Sequence, residues 1–186
     1  EDQAVWPVIP TPGVNRGYEK SGLREDGKLK NSTATGGALI YRGWMFPQEF
    51  WGNAFIPEPA AFLVKRFVLS EKDGTVSAKN AYEKQEFIAS TDERFRPVNA
   101  HNGPDGALYI VDMARGVIQH KGFLTHYLVA NIKDRKLEQP VNLGRIWRVV
   151  PTNVNRPQPI PIPKESVELV KLLDHPNGWH RDTAQR

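Results

Sequence analysis

Short runs of β-forming residues, separated by turn residues, occupy the middle of the chain. Apolar or alternating runs at residues 38–41, 53–57, 62–69 and 83–89 predict four strands. The third and fourth runs are separated by Lys72-Asp73-Gly74, and Asp-Gly is a strong signal for a β-hairpin. Four strands with short connections predict one antiparallel sheet.

A second unit of the same kind follows near Phe95. The turn Pro104-Asp105-Gly106 precedes a predicted strand at residues 107–111, and a further strand is predicted at 144–150. The connection between these strands is long. Within it, apolar residues recur at helical spacing and predict an amphipathic helix over residues 123–136; they are Phe123, Leu124, Tyr127, Leu128 and Ile132.

These patterns predict a mainly β fold, a partial β-propeller of about two four-stranded blades. We expect an extended N-terminal segment at residues 1–32 and the two blades at 33–150, with a helical insertion near 116–143. A proline-rich linker is predicted at 151–163 and the start of a helical repeat at 164–186. Tyr109, Trp147 and Phe67 alternate with apolar neighbours, which predicts core positions for all three.

Composition excludes several classes of site. The 186 residues carry a net charge of +4, spread along the chain, so we expect no nucleic-acid partner. No apolar run approaches the roughly 18–20 residues of a membrane span, so none is expected in this segment. The absence of cysteine excludes disulfides, thiolate metal sites and haem attachment within these residues.

The strand units resemble the last blades of soluble quinoprotein dehydrogenases of the glucose/sorbosone type. The motifs that carry the resemblance are YRG, WGNAFIPEP and LVKRFVL within residues 41–69, and RFRPV, GPDGALYIVD and GRIWRVV within 94–150. With GVIQHKGFLTHYL and LVKLLDHPNGWHRDTAQR, the chain is similar to planctomycete and verrucomicrobial membrane-bound dehydrogenases, in which HEAT-like repeats follow the propeller.

That resemblance implies an exported protein, periplasmic or extracellular, that oxidises a sugar or alcohol. It implies a pyrroloquinoline quinone (PQQ) cofactor with calcium, the remainder of the propeller as a partner, and electron transfer to a c-type cytochrome. The hydride-abstracting base and most calcium ligands would lie on blades outside this chain, so the catalytic residues are unknown and this chain alone should be inactive.

Arg94 and Arg96 are the candidate cofactor-binding residues. Loops alternate between the two ends of an antiparallel blade, so the crossover at 90–95, the turn at 58–61 and the insertion at 112–143 should share one end. The resemblance places an RxR pair there, on the quinone carboxylates, and a guanidinium fork suits carboxylates. Alternatively, the two arginines pair with acidic neighbours and pin the loop; those neighbours are Asp92, Glu93 and Asp112.

Two departures from the family pattern affect this pair. Pro97 follows Arg96 where the family has Asp, and Glu58-Pro59-Ala60 stands where a lysine is expected near the quinone. Both departures favour an alternative from another class, a non-catalytic propeller that acts as a binding or assembly module. The dehydrogenase requires a positively charged central pocket containing Arg94 and Arg96. In the module, both arginines can instead form salt bridges within the protein.

A second candidate group combines a carboxylate, a guanidinium and an imidazole on the pocket-facing side, at Asp112, Arg115 and His120. These groups could serve as base, charge stabiliser or ligand. Equally, Asp112 could cap the strand end, Arg115 could pair with it and His120 could bond to the backbone. His101, on the first strand of its blade, is a further pocket-face candidate. For Asp105 a turn role is favoured over calcium binding, because no D-x-D-x-D spacing surrounds it.

Overall fold

The computed structural model describes residues 3–11, 20–154 and 158–186. Parts of the predicted N-terminal segment (1–2 and 12–19) and of the predicted linker (155–157) lie outside the described residues. The first sheet contains five strands: β1 Leu39–Ile40, β2 Ala54–Glu58, β3 Leu63–Lys72, β4 Thr75–Asn80 and β5 Ile88–Ala89. All its pairings are antiparallel, in the order β1-β2-β3-β4, with β5 also on β3.

The outer strand of this sheet is split in two. Both β4 and β5 pair with the edge of β3 that lies opposite β2, so the sheet is four strands wide. The prediction of one strand at residues 83–89 was therefore wrong for most of that range. Asp73 and Gly74 both take positive φ (53° and 75°), and this tight turn starts β4 at Thr75. β4 contains only two apolar residues, Val76 and Ala78, and all of it except Asn80 is exposed, so it gave only a weak alternating pattern.

The second sheet is a three-stranded antiparallel meander, not the four-stranded blade predicted. It consists of β6 Pro97–Asn102, β7 Leu108–Asp112 and β8 Arg145–Val149, in that order. The predicted turn joins β6 to β7: Gly106 takes φ 83° and donates to the carbonyl of Gly103, 3.0 Å away. Asp105 accepts from the Ala107 amide (3.0 Å) and from Arg148 Nε (2.6 Å), so it holds the turn.

The two sheets pack against each other, and one core lies between them. The buried members of that core are Tyr41, Phe46, Phe55, Val64, Ala100, Leu108 and Ile110. The Tyr41 hydroxyl donates to the Gly106 carbonyl (2.5 Å) and accepts from the Phe46 amide (3.1 Å). It thereby joins the loop after β1 to the turn after β6. The fold is thus mainly β, with apolar side chains of both sheets excluded from water.

Three α-helices complete the described part of the chain. α1 His126–Asp134 lies in the connection between β7 and β8, and its Leu128 and Ile132 pack with Leu137. Near the C-terminus follow α2 Ser166–Leu172 and α3 Gly178–Gln185. Among the described residues, no helix has the length and hydropathy needed to cross a membrane.

The N-terminal part of α3 docks on the Pro104-Asp105-Gly106 turn. The Asn177 side-chain amide donates to the carbonyls of Gly103 (2.9 Å) and Pro104 (3.1 Å). His180 Nε2 lies 2.9 Å from the Pro104 carbonyl, and the Gly178 amide donates to Arg42 (2.7 Å). An ion pair between Arg42 and Asp182 adds to this contact. The helical pair is therefore attached to the sheets at the end opposite the crossover.

This contact should weaken in acid. His180 is 1% exposed and its ring lies 4.3 Å from that of His175. Burial lowers the pKa of His180 below its usual 6.5, and the His175 charge lowers it further. The docked state therefore favours neutral His180: its contribution is present above about pH 6.5 and is lost as the pH falls through the lowered pKa. Hydrogen exchange of α3 between pH 8 and 5 should accelerate on the acidic side.

The matched control for this prediction is His180→Gln, which keeps a side-chain N–H donor toward Pro104 but does not titrate. Its α3 exchange, corrected for the intrinsic rate, should change less with pH than that of the unmodified chain. If hydrogen exchange of α3 depended on pH identically in both proteins, titration of His180 would not be the cause of the acceleration in acid.

Candidate functional site

The crossover between the sheets contains a fully buried arginine. Arg96 is 0% exposed, and each of its guanidinium nitrogens donates to a backbone carbonyl: Nε to Arg115 (2.9 Å), Nη1 to Pro59 (2.7 Å) and Nη2 to Gly116 (2.9 Å). Its guanidinium carbon lies 4.5 Å from the centre of the Phe62 ring. The turn at 58–61, the crossover and the insertion thus meet at one end of the sheets, as strand alternation predicted.

Charge at this position is retained at neutral pH. Burial lowers the pKa of Arg96 to about 10, while the nearby carboxylates of Glu93, Asp112 and Asp92 act to raise it. A cation withdrawn from water requires such partners, because an unpaired buried charge is strongly destabilising. Here backbone carbonyl dipoles and nearby carboxylates fill that role together.

Asp112 connects the crossover to β8. Its side chain is 0% exposed. One oxygen accepts from the amides of Arg96 (2.8 Å) and Ala114 (2.7 Å). The other accepts from Arg145 Nε (3.0 Å) and Trp147 Nε1 (2.9 Å). We refer to Arg96, Asp112, Arg145 and Trp147 as the crossover cluster. Asp112, with four donors on two oxygens and no exposed surface, has no free lone pair for proton transfer to a substrate.

Arg94 lies on the other side of the crossover and contacts the insertion. Its Nη2 donates to the carbonyls of Lys136 (2.9 Å) and Gln139 (2.7 Å), beyond the end of α1. Beside it, Glu93 forms an ion pair with Arg135. The two arginines of the RxR pair therefore bind two different parts of the insertion and do not converge on one pocket.

The remaining candidates are spread out. Arg115 contributes its carbonyl to Arg96, and it is Arg145, not Arg115, that pairs with Asp112. His120 is exposed, and its Nδ1 accepts from the Gly122 amide (3.2 Å), which caps the short helical turn Lys121–Phe123. His101 is an exposed residue of β6, paired with Tyr109. The structure therefore brings together Arg96 and Asp112, but not the two histidines.

The position expected to hold a quinone-binding lysine contains a buried carboxylate instead. Glu58 accepts from the amides of Thr33 (3.0 Å), Ala34 (3.2 Å) and Ala60 (3.2 Å). Burial raises the pKa of Glu58, and these amides oppose that shift. Glu58 therefore ties residues 33–34 to the turn after β2. Its partners are backbone groups, which no side-chain motif in the sequence reveals.

Two of these residues, Arg96 and Glu58, have no group available to a cofactor at this end of the sheets. The Arg96 guanidinium has no exposed surface, and the Glu58 carboxylate is directed onto backbone amides. Within residues 3–11, 20–154 and 158–186, no three His, Asp or Glu side chains are grouped so that they could hold a metal ion. The geometry of this end is that of a structural joint between two sheets.

An open cleft lies beside the crossover cluster. It has a volume of about 540 Å³ and runs between β5 with the crossover on one side and β8 on the other. Its lining includes Ile88, Ala89, Phe95, Ile110, Trp147 and Val149. Trp147 was predicted as core, but it is 44% exposed, because nothing among the described residues covers that part of β8.

One comparison with known proteins places the chain in a family. No curated protein and no solved structure matches the chain. Residues 1–153 match a family model described as a domain of unknown function, DUF7133. That match includes both sheets, the crossover cluster and α1. The chain belongs to the DUF7133 family.

Proposed function

We propose that this chain is a non-catalytic assembly module made of two adjacent blades of a β-propeller. The observation that carries the proposal is the state of Arg96, whose guanidinium nitrogens all donate to the protein's own carbonyls while the side chain has no exposed surface. A cofactor-binding cation would have to present its donors to a ligand. This one holds three loops together.

The organisation of the two sheets supports the same proposal. Both are antiparallel meanders that follow one another along the chain, pack face to face and share a core. The first is four strands wide and the second is three. Blades of four strands that pack in this way are the units of propellers. The partner that the proposal implies is further β structure, from the same or another polypeptide.

The alternative is a segment of an exported PQQ-dependent dehydrogenase that passes electrons to a c-type cytochrome. It would require Arg94 or Arg96 to reach a ligand, and of these only Arg94 retains exposed surface. A periplasmic or extracellular location stays a prediction under both proposals.

The test is calorimetric titration of the purified chain with PQQ and calcium. We expect no saturable heat. Saturable binding that is lost in Arg94→Ala, but kept in the control Arg148→Ala, would overturn the module proposal in favour of a quinone site. Arg148 is a suitable control because it removes the same charge at the opposite end, where it pairs with Asp105.

A further inference from the structure

The outer edge of β8 is unpaired within the described part of the chain. β8 pairs with β7 along its whole length, and the sheet order ends there. A strand with one free edge presents a row of backbone N–H and C=O groups that can pair with another strand. Whatever occupies this edge must therefore offer backbone donors and acceptors at strand spacing.

In the first sheet, the position that corresponds to the free edge of β8 is occupied by a fourth, outer strand. There, β4 and β5 form the outer strand beside β3. In the second sheet no described strand pairs with the outer edge of β8, and residues 147–149 of β8 also line the 540 Å³ cleft, with β5 forming its opposite wall. An unpaired edge and an apolar cleft thus coincide where a fourth strand would complete the sheet.

We propose that the free edge of β8, together with this cleft, binds one extended polypeptide segment as the fourth strand of the second sheet. The inference rests on the proposed function in naming the partner of that module, but its evidence is the edge and the cleft alone. The segment adds main-chain hydrogen bonds to β8, which provide affinity, and places alternate side chains in the cleft, which provide specificity.

The cleft determines the chemistry of the segment. Successive residues of a strand face opposite sides, so Trp147 and Val149 share the face of β8 that Ile146 does not occupy. Arg148, whose side chain pairs with Asp105, also contributes to the cleft lining. The wall opposite is formed by Ile88 and Ala89. Apolar side chains at every second position of the segment would fill the cleft. Ile146, which is 70% exposed on the other face, would gain an apolar neighbour from the intervening positions.

A second copy of this chain fits the edge less well than a lone segment. Antiparallel pairing of two β8 strands about a two-fold axis would place both first sheets on the same side of the joined sheet. The first sheet of the copy would then lie on the cleft side of the joined sheet, whereas a lone segment brings no second sheet to that side.

The outer edge at β4 differs from that at β8. All residues of β4 except Asn80 are exposed, Lys79 lies on it, and the cleft beside β8 includes none of its residues. Lysine on an exposed edge strand is a common protection against pairing with other chains. The proposal therefore concerns β8 and not β4.

Disulfide capture can test the proposal, because the chain contains no cysteine. Thr91→Cys places one thiol at the exposed mouth of the cleft. Two synthetic peptides are offered under thiol exchange: Cys-Gly followed by alternating Thr and Val, and the same peptide with Pro in place of each Thr. The first can pair along β8, and the second lacks every second backbone N–H. We expect about a tenfold preference for the first peptide.

The control protein is Ser166→Cys, whose thiol is exposed at the start of α2; it should capture both peptides equally. Hydrogen exchange of the captured complex should slow in β8 and not in β4. Equal capture of the two peptides by Thr91→Cys, or slowing in β4 alone, would overturn the proposal. So would a stable dimer of the unmodified chain with β8 protected. Failure of the module proposal can be distinguished from failure of this one, because the quinone titration tests the module proposal without any peptide.

Discussion

Replacement of Arg96 by alanine should destabilise the chain by on the order of 3–5 kcal/mol. The substitution leaves the carbonyls of Pro59, Arg115 and Gly116 without their buried donor and opens a cavity beside Phe62. It also detaches the insertion from the crossover, because Arg115 and Gly116 begin that insertion. Urea unfolding followed by circular dichroism measures the change in the free energy of unfolding.

Arg94→Ala is the matched control for this prediction. Its guanidinium donates to the carbonyls of Lys136 and Gln139 at a partly exposed site, where water can replace the lost donor. We expect a loss of about 1 kcal/mol for Arg94→Ala. If the two variants lost equal stability, burial of the Arg96 guanidinium would not be what makes it important.

Asp112→Ala should have the second largest effect, on the order of 3 kcal/mol. It leaves four donors without their acceptor: the buried amides of Arg96 and Ala114, and the β8 side-chain groups Arg145 Nε and Trp147 Nε1. Because Trp147 donates to this carboxylate, the fluorescence of the folded variant should differ from that of the folded unmodified chain. Its fluorescence should also change on unfolding.

Asp112→Asn separates the two halves of this interaction. The remaining oxygen can still accept from the amides of Arg96 and Ala114, whereas the new NH₂ faces the donors Arg145 and Trp147. The loss of stability should therefore be about half that of Asp112→Ala. In a hydrogen-exchange measurement, faster exchange of backbone amides should be confined to β8. Faster hydrogen exchange in β6 as well would contradict the assignment of one Asp112 oxygen to the crossover and the other to β8.

Local chemistry explains what the sequence predicted well. The turn at Pro104-Asp105-Gly106 is found where its residues require it, since Gly106 has positive φ. The segment predicted as helical at 164–186 contains α2 and α3, and α3 begins at the Asn177 cap, which accepts from the Trp179 amide. Strand alternation also predicted correctly that the crossover, the 58–61 turn and the insertion lie at one end of the sheets.

Non-local partners explain what the sequence missed. Arg96 binds backbone carbonyls, and every residue has a carbonyl, so no residue type marks its partners. Asp112 and Arg145 lie 33 positions apart, and only pairing of β7 with β8 brings them together. The Trp147 prediction relied on alternation with apolar neighbours, which identifies one face of a strand but not whether another element covers it. β4 was overlooked because an exposed edge strand does not require apolar residues.

The bonds that dock α3 on the Pro104-Asp105-Gly106 turn should form late in folding. Asn177 and His180 bond to groups 73 to 76 positions earlier, and those groups are in place only once the β6–β7 hairpin has closed. Contacts of such high separation form late, because the loop entropy is lost before the contact is gained. During synthesis the sheets can fold first and the helices attach last, so a protease that cut residues 150–165 would release the helical pair while leaving the sheets folded.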